Sequence, residues 1–388
     1  MKFVFFHLMP YPYLPDDFDE SYPSPSLTFP NKHFDRELGN RLYHRYLDEL
    51  ENAEKLGFDG IAVNEHHQSA YGLMPSPNIM AAALARRTER AQIMVLGNAI
   101  GIRGNPLRVA EEIAMLDHLS NGRIVSGFVR GIGWEYFNQN VDPNQSRGRF
   151  NEAHDLIVKA WTSDEIFDWY GEHYEFRYVN IWPKPLQSPH PPIYVPGTGS
   201  ADTMKFCARN HYPYSAVFAP AKVVGKWFDT YREACEEEGY TADPEDIGFT
   251  VPIIVADTDE QAYKMGKQHV EWLFHKGLRL EIPAILNPPG YVTPKSFEGM
   301  LRSGVKYFQE ITYDELLDMG YAIVGSPETV ADKIEALRAD LGFGAFSGLF
   351  SVGDMSAEDV RRSTDLFAEK VMPRFRTAAA DATAGAAA

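Results

Sequence analysis

Short apolar runs alternate with longer segments of helical periodicity along almost the whole of this chain, and that alternation leaves few folds open. An apolar run too brief for a helix, followed by an amphipathic helix, is the repeating unit of a parallel sheet covered by helices. The runs Lys2–Leu8, Gly60–Val63, Gln92–Gly97 and Arg123–Phe128 read as the first four strands. Pro192–Pro196, Ser215–Phe218, Gly248–Ala256 and Ala345–Ser351 read as the remaining four. Each is followed by a helix. Asn40–Leu56, for example, places Leu42, Tyr46, Leu50 and Ala53 on one face and stops at Gly57. Asn105 and Pro106 cap a helix that repeats Val109, Ile113, Leu116 and Leu119. Eight strands in strict alternation predict an α/β fold closed as a (β/α)8 barrel rather than left as an open sheet.

Three stretches interrupt the rhythm. Pro10–Lys32 carries six prolines, which bars helix or central strand and makes it a long loop over one end of the fold. Glu165–His190 is aromatic and proline-containing, and Gly277–Tyr321 holds Pro283, Pro288, Pro289 and Pro294. The expected organisation is one barrel domain over residues 1–376, with insertions at about 165–190 and 277–321. An alanine-rich tail, expected to be disordered, follows over 377–388.

The chain has 54 acidic and 37 basic residues, a formal charge of −17 that repels nucleic-acid backbones and anionic lipid. Neither a nucleic-acid nor a membrane partner is expected. Two cysteines, Cys207 and Cys235, are too few for a disulfide framework, and no run approaches the ~20 apolar residues of a bilayer span. A cytoplasmic protein is expected.

In a barrel of this kind the reactive groups stand just after the strands, at their carboxyl ends. The second strand ends in Asn64-Glu65-His66-His67. Histidine titrates near neutrality and a neighbouring carboxylate can orient its ring, so this is a candidate proton-transfer edge; the alternative is that both histidines only satisfy loop backbone. Neither HExxH spacing nor a same-face pair is present, and no metal is expected. Arg130 follows the fourth strand in Val129-Arg130-Gly131-Ile132-Gly133; a third glycine at the dinucleotide spacing is missing, since Tyr136 stands there. What remains is an arginine beside small residues, suited to a phosphate or a flat polar ring, or else to a surface ion pair. Arg147 and Arg149 share that ambiguity. The loop Gly197-Thr198-Gly199-Ser200-Ala201-Asp202-Thr203 joins small residues to hydroxyls at a helix start, which suits a phosphate cradle or an ordinary cap with Ser200 bonding the Thr203 amide.

In order along the chain, Glu54-Lys55-Leu56-Gly57-Phe58-Asp59, Glu65-His66-His67, Ala110-Glu111-Glu112, Leu116-Asp117-His118-Leu119-Ser120-Asn121-Gly122-Arg123, Pro183-Lys184-Pro185, Pro189-His190-Pro191-Pro192-Ile193 and Val324-Gly325-Ser326-Pro327-Glu328 make the sequence resemble the bacterial luciferase-like flavin monooxygenases. The resemblance implies a luciferase-like TIM barrel. It also implies reduced FMN supplied by a separate NAD(P)H:flavin reductase, and reaction with O2 through a C4a-peroxyflavin to oxygenate a small organic substrate. Carried over by position, His66 matches the catalytic histidine and Arg130 the arginine that meets the flavin. Gly199, Ser200 and Thr203 match the phosphate loop, and Arg147, with Arg149 competing, the second phosphate arginine. A cis peptide after the third strand is implied near Gly97-Asn98, which brings Asn98 to the flavin ring. Gly277–Tyr321 resembles the loop that shields the site. A homodimer is implied as well. The proline-rich Pro10–Lys32 loop departs from the light-emitting members, which favours a generic monooxygenase. Two alternatives remain within the same fold: a deazaflavin-dependent hydride transferase, and a silent flavin-binding partner subunit, against which the presence of His66 and Arg130 counts.

Overall fold

The computed structural model describes residues 1–279, 287–294, 298 and 308–376, and in it eight parallel strands close into a barrel. The tail expected over 377–388, and much of the insertion expected over 277–321, lie outside the described residues. In chain order the strands are β1 (Lys2–His7), β2 (Gly60–Val63), β3 (Gln92–Ala99), β4 (Ile124–Val129), β5 (Phe167–Tyr170) and β6 (Glu175–Val179). Then follow β7 (Ile193–Gly197), β8 (Tyr214–Val217), β9 (Ile247–Val255), β10 (Ile323–Gly325) and β11 (Ala345–Leu349). The barrel runs β9-β11-β1-β2-β3-β4-β7-β8 and closes by pairing of β8 with β9.

Side chains alternate along a strand, and here the two sets go to two separate cores. Phe3, Phe5, Ile61, Val63, Ile93, Val95, Ile247 and Phe249 pack outward with the helices. Val4, Phe6, Ala62, Met94, Leu96, Val125 and Tyr194 belong to a second cluster that fills the barrel and its mouth. Gly248 makes room for one of the largest of these, since a Cβ there would strike the Tyr194 hydroxyl.

Helices α1 (Phe18–Ser21), α2 (Arg36–Lys55), α3 (Pro77–Arg87), α4 (Leu107–Leu119), α5 (Gly133–Asn138) and α6 (Ser146–Thr162) come from the first half of the chain. From the second half come α7 (Ala201–Arg209), α8 (Ala221–Glu237), α9 (Asp259–Glu271), α10 (Tyr313–Met319), α11 (Pro327–Leu341) and α12 (Ala357–Leu366). Helix α2 starts four residues before the apolar stripe at Asn40 because the Asp35 carboxylate accepts from the Glu37 and Leu38 amides at 2.9 Å. Several elements were not expected. The proline-rich Pro10–Lys32 stretch, expected to hold no helix, contains the single turn α1 where Phe18–Ser21 is free of proline, and α5 stands where a polar loop was expected after β4. The aromatic excursion contains the antiparallel hairpin β5–β6, whose alternation is hidden because most of it is exposed. Helix α10 begins at a Thr312–Glu315 capping box inside the proline-rich insertion, and β10 adds three residues beside the end of β9. No helix among the described residues is long and apolar enough to cross a membrane.

One irregularity bears on the site. The Leu96–Gly97 peptide is cis, one residue before the expected Gly97–Asn98, and the β3–β4 register slips by one residue between Val95 and Asn98. At this bulge the strands approach so closely that a Cβ on Gly127 would meet the Val95 carbonyl, and one on Gly97 would meet the Gly127 backbone. The obstacle is main chain and cannot swing away. Gly127→Ala is therefore expected to lower unfolding free energy by about 1–3 kcal/mol in urea titration, and an unchanged midpoint would contradict the close approach.

Candidate active site

The polar string after β2 divides into two sets, because adjacent side chains leave an extended chain in opposite directions. Glu65 turns to one flank. Its carboxylate receives Arg103 Nη2 at 2.6 Å, His67 Nε2 at 2.6 Å and the Ala99 amide at 3.2 Å. His67 thereby helps fasten Glu65 to the loop after β3, and its own carbonyl accepts from Asn138 at 3.0 Å.

His66 turns the other way. Its Nδ1 lies 3.2 Å from Glu135 Oε1 and its Nε2 2.8 Å from Asn64 Nδ2. Glu135 belongs to α5, the short helix after β4, and its second oxygen accepts the Ile132 amide at 2.8 Å. Around the imidazole stand the rings of Tyr71, edge-on at 4.7 Å, and Trp134, at 6.1 Å. His66, Glu135, Tyr71 and Trp134 are all buried. Burial, and then the Glu135 charge, push the Tyr71 phenol far above its ordinary value, so it stays protonated.

A second cluster gathers the arginines. Arg130 Nη1 reaches Ser146 Oγ and the Tyr291 carbonyl, each at 3.3 Å, and its guanidinium lies 4.2 Å over the Tyr291 ring. The Tyr291 hydroxyl in turn donates to the Gly131 carbonyl at 2.7 Å, so a described piece of the insertion sits directly on Arg130. Arg147 Nη2 donates to Ser200 Oγ at 3.3 Å and to Asp202 at 3.2 Å. Burial, and next the neighbouring Arg130 charge, hold the Arg147 guanidinium below its ordinary value. The Asp202 carboxylate offsets part of that repulsion.

The Ser200 hydroxyl caps no helix amide of α7; Thr203 N–H instead meets the Ser200 carbonyl at 3.0 Å. The expected alternative, an ordinary serine cap, is therefore not what the structure contains. Gly199 holds φ +94° with the Trp227 ring where its Cβ would be, and its amide reaches Tyr214 OH at 3.3 Å. Thr203 lies half-buried in the first turn. Arg149 is spent on structure, donating to the Gly101 and Arg103 carbonyls at 2.9 and 2.8 Å and stacking 4.9 Å over Tyr174. That leaves Arg147, not Arg149, beside the serine.

Asn98 is wholly buried, with Nδ2 on Asn78 Oδ1 at 3.2 Å and Oδ1 without a partner. Asn64 Oδ1 and Trp134 Nε1 are likewise buried and unpaired. Buried polar atoms left unpaired cost free energy unless something supplies a partner. Among the described residues no three His, Cys, Asp or Glu side chains converge as a metal site. The residues that the sequence reading did not assign are Asn64, Tyr71, Trp134, Glu135 and Tyr291. Glu135 carried a legible signal, a carboxylate just past a barrel strand. Tyr291 carried none, because its role depends on where the insertion folds back.

A family model described as luciferase-like monooxygenase matches residues 27–344. An uncharacterised protein of Sinorhizobium fredii is 32% identical over 319 residues, covering 79% of this chain and 86% of its own. The oxygenase component of the flavin-dependent trigonelline monooxygenase of Acinetobacter baylyi is 24% identical, covering 89% and 94%. Among solved structures, the oxygenating constituent of 3,6-diketocamphane monooxygenase from Pseudomonas putida, in complex with FMN, superposes with a TM-score of 0.74 at 19% identity over 96% of this chain and 98% of that one. An F420-dependent secondary alcohol dehydrogenase superposes with a TM-score of 0.67 at 18% identity over 96% and 98%. These two likenesses concern the fold.

Proposed function

This chain belongs to the luciferase-like monooxygenases, and from that premise we propose that it is the oxygenase of a two-component system that takes reduced FMN from a separate reductase and uses O2 to oxygenate a small organic substrate. The observation that carries the reading is the convergence of Arg147 and Arg130 near Ser200, at a helix start whose serine leaves the amides uncapped. In an otherwise acidic chain this cluster would suit a flavin phosphate, which would compete with Asp202 for Arg147.

Arg147, Ser200, Thr203 and the Gly199 turn would hold the phosphate, with Arg130 between phosphate and ring. The unpaired Asn98 Oδ1 would accept from a ring N–H of the cofactor. Reduced flavin, when bound, supplies the electrons that activate O2. His66 holds or moves a proton at Nε2, the ring atom not engaged by Glu135. Tyr71 and Trp134 form a dry wall beside it, and Tyr291 brings part of the insertion over Arg130, which keeps water from the reaction. The buried cysteines Cys207 and Cys235 are free thiols, which accords with the cytoplasmic location proposed.

The test is anaerobic mixing of the protein with reduced FMN, then admission of O2 under absorbance monitoring. A slowly decaying species distinct from both reduced and oxidised FMN is expected. Immediate appearance of oxidised FMN with no such species, together with tight binding of a deazaflavin, overturns the reading in favour of hydride transfer. In the same assay Arg147→Ala should weaken binding of reduced FMN about 10- to 100-fold, the cost of losing a charge-assisted bond. His66→Ala should keep flavin affinity within a few-fold and cut substrate oxygenation by about 10² to 10⁴, as for a lost acid–base group. Unchanged turnover removes His66 from the mechanism.

A homodimer is proposed on the adjacent helices α3 and α4, where Ile79, Met115 and Leu119 stand 69%, 52% and 42% exposed. Sedimentation should give twice the chain mass, and Met115→Arg should shift it toward the monomer; a monomeric wild type refutes the proposal.

A further inference from the structure

Like His7, His66 is held at both ring nitrogens by groups of opposite hydrogen-bonding character, but at His66 the donor is a side-chain amide rather than the backbone. A carboxylate only accepts and a carboxamide Nδ2 only donates. Glu135 Oε1, 3.2 Å from Nδ1, therefore requires a proton there, and Asn64 Nδ2, 2.8 Å from Nε2, requires a lone pair there. Glu135 is not free to turn away, because its other oxygen holds the Ile132 amide at 2.8 Å and the residue is 1% exposed. Asn64 Oδ1, in contrast, is buried and unpaired. One half of that amide is satisfied and the other half is waiting.

We propose that Glu135 is a positioning residue that fixes His66 as the Nδ1–H tautomer, and that the Asn64 carboxamide turns over when Nε2 gains a proton, presenting Oδ1 in place of Nδ2. As the amide turns, Nε2 gives up its bond to Nδ2 and its lone pair takes a proton from an acid bound at the mouth; the acid's bond to that proton breaks, an Nε2–H bond forms, the conjugate base stays at the mouth, and no electrons are transferred. The ring's new positive charge faces the Glu135 carboxylate, and the new N–H faces the Asn64 oxygen that had no partner. Both protonation states are thus served without moving the imidazole, which a general acid–base residue must achieve within one turnover.

The groups facing His66 are Glu135 and Trp134 from α5, Tyr71 from the loop after β2, and Asn64 beside it. Of these, only Glu135 is a carboxylate. Glu65, His67 and Arg103 satisfy one another on the opposite flank, with no hydrogen bond to His66 given by the structure. His7 supplies a contrast: its Nδ1 accepts the Met9 amide at 2.8 Å and its Nε2 meets Glu49 at 2.8 Å, so a backbone group fixes its tautomer and no amide is left to turn.

The inference rests on the acid–base role proposed above, but its test needs no flavin, substrate or O2. Histidine-selective 15N labelling would report the ring nitrogens of the resting protein, with His66→Gln used to assign the signal. The wild type is expected to show a protonated Nδ1 and a bare Nε2 in its neutral form. Glu135→Gln should abolish that preference, because a carboxamide can donate as well as accept at Nδ1. Glu135→Asp should restore part of it. Asn64→Leu should keep the tautomer. An unchanged tautomer in Glu135→Gln overturns the proposal; if thermal melts show that variant unfolded, the same readout in Glu135→Asp decides, with wild-type behaviour at the longer reach counting against it. If oxygenation fails while these nitrogen signals behave as expected, the function is wrong and the proton device stands.

Discussion

Closure of the parallel barrel is the constraint from which the rest of this molecule follows. Every closing strand is flanked on both edges and buried on both faces, so its side chains must be apolar or small in both directions, as the four buried residues of β2 illustrate. Polar chemistry can enter only where the strands stop. Because all eight run parallel, they stop at one rim, and groups as distant in sequence as Asn64, Asn98, Arg130 and Ser200 come to one end of the molecule. The bulge in β3 refines this by one residue, re-aiming Asn98 through the close approach that Gly97 and Gly127 allow.

Charge is handled locally against an unfavourable mean. A formal charge of −17 would repel any anionic ligand, yet Arg130 and Arg147 share one end of the rim, half-buried and electrostatically coupled. There Arg147 lies beside Arg130 and pairs with Asp202 at 3.2 Å. Arg149, two residues from Arg147 and facing another side of α6, satisfies backbone carbonyls after β3 and so stiffens the floor on which the cluster stands.

The two adjacent histidines show how geometry divides identical chemistry. His67 is drawn into the Glu65–Arg103 network and holds a loop, whereas His66 meets a fixed carboxylate on one nitrogen and an exchangeable amide on the other. Aromatic rings then exclude water around His66 alone. A dry environment strengthens each of these polar contacts and makes each unpaired atom more costly.

By itself the sequence determined the barrel, because strand-length apolar runs and amphipathic helices are local patterns set by periods of 2 and 3.6, and the positions of His66, Arg130 and Ser200 follow from where those runs end, whereas Arg147 was singled out only by the resemblance. It also determined the family, through strings spread in order along the chain. Only the tertiary structure decided the partners. Glu135 reaches His66 across 69 positions and Tyr291 reaches Arg130 across 161, so no local period records either contact. The choice of Arg147 over Arg149 depends on which way each leaves α6, and the uncapped Ser200 on an arginine from another helix. The hairpin β5–β6 and the added β10 stayed illegible for the same reason: one is largely exposed and the other only three residues long, so pairing, and not periodicity, makes them strands.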